Sequence, residues 1–245
     1  MEYGKDFWLN ENGKLEFAED IAYTAEDVRL LSDAQNVLYD DIPIDDRPLY
    51  YMYRGIYKKE DEQIFAQRDI RYDITVILAG KLGREYYKTI GHFHPLKPGS
   101  LETYPEYYEV LEGEAFYLLQ KNTHSNEVEE AVVVAAKKGD KVFIPSPYGH
   151  VTINPGDKPL VMANLVEKNF KSQYEPFQEK RGAAYYCIEG EQGKSEFVKN
   201  PNYHSIVALK MFTAPSWKKP LTFEPQDTDL YTAFINNPDN FNFLK

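Results

Sequence analysis

The chain is predicted to be all-β, a small antiparallel barrel or jelly roll, on three observations. From about residue 72 short runs rich in Val, Ile, Tyr and Phe follow one another closely. Gly, Pro, Asn or Asp marks nearly every break between them, and no helix intervenes. The composition agrees: 20 Tyr and 14 Phe suit strand faces that carry amphipathic rings.

In chain order, residues 14–36, KLEFAEDIAYTAEDVRLLSDAQN, carry the one helical pattern, with Thr24 and Asp27 as a capping-box variant ahead of VRLL. This helix is expected to cover the barrel. Residues 49–58, LYYMYRGIYK, read as a strand. Eight further runs follow: DITVILA (73–79), REYYKTIGHFH (84–94), EYYEVLEG (106–113), AFYLLQK (115–121), EEAVVVAAK (129–137), DKVFIPS (140–146), HVTIN (150–154) and LVMANLV (160–166). Gly113 is placed for a hairpin turn. Beyond residue 170, AAYYCI and HSIVALKMF offer more strand, and the Pro- and Asn-rich remainder reads as a surface-hugging tail or an oligomer contact.

At 245 residues the chain is read as one domain, with a barrel core at about 70–170 between extensions 1–69 and 171–245. Lys and Arg total 28 against 39 Asp and Glu, a net charge of -11. That balance argues against a nucleic acid or an anionic membrane as partner. The single cysteine, Cys187, allows no internal disulfide and reads as a small buried hydrophobe. There is neither a basic-then-apolar leader nor an 18-residue apolar run, so a soluble, cytoplasmic protein is expected.

The chemistry concentrates in two stretches, GHFHPLKPGSLETYPEYYEVLEG (91–113) and GDKVFIPSPYGHVTIN (139–154). On an extended strand side chains alternate faces, so His92 and His94 point the same way and Phe93 the other. Glu106 opens the next strand-like run and His150 follows the apolar run VFIP, so three imidazoles and a carboxylate are available to one cation. Such a donor set suits Fe, Mn, Co, Ni or Zn better than Ca or Mg. Glu102 and Glu109 rival Glu106 as the acidic member. His124, on the polar turn KNTHSNEVEE, is read as a solvated loop residue.

Gly139, Pro145, His150 and Asn154 recur as G-x5-P-x4-H-x3-N, and Glu106 with Gly113 as E-x6-G. These patterns resemble the two signatures of the cupin superfamily, and the E-x6-G spacing selects Glu106. Two departures stand out: eleven residues separate His94 from Glu106 where the pattern leaves only a few, and Pro147 stands where it prefers Gly. The runs VRLLSDAQNVLYDD, TVILAG, YYKTIGHFH, EYYEVLEG and FIPSPYGHVTIN narrow the resemblance to the cupin-type glucose-6-phosphate isomerases, over residues 28–203.

This resemblance implies a jelly roll holding one divalent transition metal, iron(II) first, with Mn2+, Ni2+, Co2+ or Zn2+ as alternatives. It also implies a sugar-phosphate substrate and a homodimer. The metal would sit on His92, His94, Glu106 and His150. Glu106 and Tyr108 would act at the reacting carbons, and Tyr53, Thr75, Thr89, Gly91 and Tyr174 would hold the phosphate. One conflict arises with strand geometry: if His92 and His94 face inward, Thr89 faces away unless a bulge at Gly91 restores it, and such a bulge is predicted. Two other readings compete, an Fe(II) dioxygenase with the same ligands and a sugar-phosphate-binding cupin without turnover.

Overall fold

The computed structural model describes residues 2, 3, 6–220 and 228–245. Twelve strands carry the architecture: β1 (Ala25–Leu30), β2 (Pro48–Arg54), β3 (Ile70–Ile77), β4 (Glu106–Glu112), β5 (Glu114–Asn122), β6 (Val128–Lys137), β7 (Lys141–Ile144), β8 (Gly149–Ile153), β9 (Leu160–Glu167), β10 (Tyr185–Glu189), β11 (Ser195–Lys199) and β12 (Leu209–Thr213). Two sheets face each other. The larger has the order β7-β4-β9-β3-β2-β1 and is antiparallel throughout. The smaller has the order β8-β5-β6-β12, with β12 added parallel to β6. The predicted jelly roll is the fold observed.

Between the sheets, inward side chains such as Leu49, Val110, Tyr117, Val132, Val134 and Leu160 are sealed from solvent. Each strand supplies alternate residues to this core because the pleat turns successive side chains to opposite faces. The outward face of the larger sheet is also buried. There Tyr53, Ile74, Val161 and Leu165 pack against Leu230, Phe234, Phe241 and Leu244 from the C-terminal segment. That segment comprises helix α2 (Leu230–Asn236), capped by the Asp229 side chain, and a 3-10 turn at Pro238–Leu244. The end of the tail is therefore core, while residues 221–227 of it lie outside the described residues.

Gly113, at φ +86, turns the chain from β4 into β5. These strands belong to different sheets, so the expected hairpin is instead a sheet-to-sheet corner. A Cβ at Gly113 would press on the Pro159 carbonyl at 3.3 Å, a second reason for glycine there.

The helix expected over residues 14–36 does not form. Residues 25–30 pair with β2, Ala25 opposite Arg54 and Val28 opposite Tyr51, and the helical part shrinks to Leu31–Ala34 (α1) with a 3-10 turn at Gln35–Val37. Thr24 donates its hydroxyl to the Arg54 carbonyl rather than capping a helix. The local pattern lost because β2 offered an open row of backbone partners, and satisfying a strand edge outweighs the small per-residue helix preference.

Candidate metal centre and active site

His92 and His150 are joined through their backbones, each N–H donating to the other's carbonyl at 3.1 and 3.0 Å. This bridge brings the segment before β4 against β8 at one end of the space between the sheets. Glu106, the first residue of β4, and His94 complete the group, whose donor atoms all lie within 4.8 Å of one another. The Nε2 atoms of His92 and His94 are 3.0 Å apart. Glu106 Oε2 stands 3.4 Å from His94 Nε2 and 3.3 Å from His150 Nε2.

The protonation states suit a cation. His94 Nδ1 is 2.7 Å from the Tyr104 carbonyl, to which its N–H donates, and this turns Nε2 toward the cluster. Burial pushes His92 well below its ordinary value, and the neighbouring imidazoles of His150 and His94 push the same way. Burial likewise lowers His150 against the pull of Glu106. For Glu106, burial opposes ionisation, yet His150 and His94 beside it hold the carboxyl well below the usual range. Burial thus favours the neutral imidazole at His92 and His150, and Glu106 Oε2 is buried with no hydrogen bond. An unpartnered buried carboxylate oxygen among converging lone pairs is the arrangement a divalent cation completes, so the residues fit the metal that the resemblance implies.

The rival carboxylates lie elsewhere. Glu102 is exposed in the eleven-residue loop, and Glu109 sits on the outward face of β4, accepting the Leu230 N–H at 2.7 Å. Alternation along β4 explains the split, since Glu106 and Tyr108 face the cavity while Tyr107 and Glu109 face the outer core. His124 is an exposed turn residue, and Cys187 is buried in β10, where desolvation raises its thiol to about 12.

The Gly91 bulge is present. Lys88 bridges Ile153, Thr89 N–H donates to Thr152 at 2.9 Å and His92 bridges His150, so four steps on one side match three on the other. Gly91 takes φ +84, open to glycine at little cost. Thr89 then faces the cavity, while Lys88 turns away to pair with Glu85 and the Val37 carbonyl.

The four-donor cluster opens into a polar cavity between the sheets. Thr75, Thr89, Gly91, Tyr108 and Tyr174 line it. The Tyr108 hydroxyl is 3.2 Å from His150 Nε2, and the Tyr174 ring lies 5.7 Å from that of His92. Tyr53 is not brought there. Its hydroxyl accepts the Leu15 N–H at 3.0 Å in the outer core, because β2 turns Tyr50, Met52 and Arg54 inward instead. Tyr50 was missed from the sequence, and so was a charged wall in which buried Asp73 receives Arg54 at 3.3 Å and Arg71 at 2.8 Å. The pairing of Met52 with Thr75 was the missing signal: given an inward Thr75, parity along β2 selects Tyr50 over Tyr53.

Comparison with known proteins places this site in a family. The glucose-6-phosphate isomerase family model matches residues 25–204. The chain belongs to the glucose-6-phosphate isomerase family. A glucose-6-phosphate isomerase of Thermococcus litoralis is 30% identical over 209 residues, covering 83% of this chain and 99% of that protein. One from Pyrococcus abyssi is 28% identical over 183 residues, covering 73% and 88%. Among solved structures, an oxalate decarboxylase from Bacillus subtilis matches 50% of this chain and 27% of its own, with a TM-score of 0.36 and 17% identity. The isomerase family match includes every cavity residue named above and stops before β12 and α2. Among the described residues no helix is long and apolar enough to cross a membrane.

Proposed function

We propose that this protein interconverts glucose 6-phosphate and fructose 6-phosphate with a divalent transition metal held by His92, His94, Glu106 and His150, iron(II) first among the candidates. The observation that carries the reading is the convergence of these four donors at the head of a polar cavity, in a chain of the isomerase family. Three nitrogen donors with one carboxylate favour a first-row transition ion over Mg2+ or Ca2+. When bound, the ion supplies Lewis-acid polarisation of the substrate's carbonyl and adjacent hydroxyl oxygens.

The chain's own groups do the rest. Aldose–ketose interconversion moves one hydrogen between C1 and C2, and Glu106, held as an anion, is the carboxylate placed to carry it as a proton. Tyr108 keeps its proton, because burial and then the Glu106 charge raise its pKa well above the ordinary value. It therefore acts as a hydrogen-bond donor to the reacting oxygens. Thr75 and Thr89 offer hydroxyls and Gly91 its backbone at the cavity wall, which we assign to the phosphate, with Tyr174 at the mouth. A second copy of the chain is expected to complete a homodimer.

Stripping the protein of metal, reloading it separately with Fe2+, Mn2+, Ni2+, Co2+ and Zn2+, and adding glucose 6-phosphate tests the proposal. Fructose 6-phosphate should appear with at least one ion and not in the stripped sample. Stoichiometric metal binding with no turnover under any ion refutes it and leaves a binding protein. Deuterium from solvent entering the product supports Glu106 as the carrier, and its complete absence removes that role.

A further inference from the structure

We infer that Asn164 is the residue that grips the hydroxyls of the sugar chain, and thereby sets which polyol phosphates the cavity accepts. This rests on the proposed function and deepens it. Asn164 lies in β9, is 4% exposed and lines the cavity. Among the described residues its side-chain amide makes no hydrogen bond to the protein. An amide offers two donors and an acceptor, and buried groups of this kind are almost always satisfied.

Its neighbours explain why nothing in the protein answers it. In register it stands between Tyr108 of β4 and Asp73 of β3. Asp73 is fully engaged, Oδ1 accepting the Gly55 N–H at 2.9 Å and Oδ2 receiving Arg54 and Arg71. The Tyr108 hydroxyl is turned to His150. The amide is left facing the cavity, and its position there is telling. The next inward residue toward one end of β9 is Val166, adjoining the Glu106 level, and toward the other is Met162, opposite Thr75. Asn164 is therefore level with Tyr108 and lies between the Glu106 end of the cavity and Thr75, which is assigned to the phosphate. In a hexose 6-phosphate the hydroxyls of C3, C4 and C5 occupy that interval, and each offers both a donor and an acceptor. Because an amide reads position as well as polarity, it discriminates between epimers in a way that an apolar wall does not.

The test compares wild type with Asn164→Leu, a replacement of similar volume, both loaded with metal. The probes are glucitol 6-phosphate, which has no carbonyl to isomerise, and inorganic phosphate, each titrated by calorimetry. Loss of one or two hydrogen bonds should weaken glucitol 6-phosphate about tenfold, while inorganic phosphate affinity and metal content stay within about twofold. Without ligand the variant should melt at or above the wild-type temperature, since no bond within the protein is lost. A lowered melting temperature, an unchanged preference for the polyol phosphate, or equal weakening of both probes overturns the inference. Wild type that binds glucitol 6-phosphate through Asn164 yet never isomerises glucose 6-phosphate would sink the proposed reaction and leave this subsite standing.

Discussion

Replacing Gly91 by alanine probes the link between backbone conformation and the metal site. At φ +84 a side chain costs about 1–2 kcal/mol, the ordinary penalty of the left-handed region. The added Cβ would also overlap Val151 Cγ2 and crowd Phe177 Cδ2 at 3.1 Å and the His150 carbonyl at 3.2 Å. Overpacking of this kind costs about 1–3 kcal/mol. The sum, roughly 2–5 kcal/mol, lowers the melting temperature by roughly 4–20 °C for a chain of this size. Function should suffer beyond stability, because the His150 carbonyl that must yield is the one holding the His92 N–H. A ligand displaced by about 1 Å loses on the order of a hundredfold in rate. Calorimetry, metal content by atomic absorption and kcat with glucose 6-phosphate measure the three effects. Combining the change with Val151→Ala removes the Val151 overlap, and the double variant should show less than additive loss. A Gly91→Ala protein that melts within a degree of wild type, holds its metal and turns over normally would refute the bulge as the device that sets the site.

His92→Ala and His150→Ala should each abolish metal binding and turnover together, whereas His124→Ala should leave both unchanged; metal analysis of the three variants decides it. Tyr53→Phe should cost about 1 kcal/mol of stability by orphaning the Leu15 N–H and leave KM unaltered, while Tyr50→Phe should raise KM, which inverts the assignment made from sequence. Acid should unfold the metal-free protein early. His92 and His150 have folded pKa values below their unfolded value of about 6.5, so the unfolded chain takes up protons that the native site refuses. Stability is intact above that pH and declines below it by about 1.4 kcal/mol per pH unit for each histidine. A melting temperature flat from pH 7 to 5 would contradict the neutral-imidazole assignment. Deleting residues 229–245 strips four fully buried side chains, Leu230, Phe234, Phe241 and Leu244, from the outer core. At about 1.5–3 kcal/mol each this approaches the whole stability of a typical domain, and the truncated chain should not fold.

The sequence was most legible where chemistry needs rare residues at short spacings. His92 and His94 share a strand face by parity alone, and the conflict between that parity and the role the family resemblance implies for Thr89 called for an extra residue at Gly91. Assignments that depend on a strand's partner were not legible. Tyr50 and Tyr53 differ only in phase, and phase along β2 is set by its pairing with β3. Asp73, Arg54, Arg71 and Asn164 read as ordinary strand residues until the larger sheet aligns them in adjoining rows. Residues 25–30 carry a helical pattern that loses to an available strand edge.

What the amino-acid order settled by itself is the class of fold and the pair of segments that carry the candidate ligands, because alternation, turn residues and ligand spacing act over a few neighbouring positions. Tertiary structure alone decided which tyrosine of β2 meets the cavity, that the chain's end is core, and that Asn164 has no partner within the described protein. Those outcomes follow from strand register and sheet packing, in which residues far apart in the chain compete for the same hydrogen bonds and the same buried space.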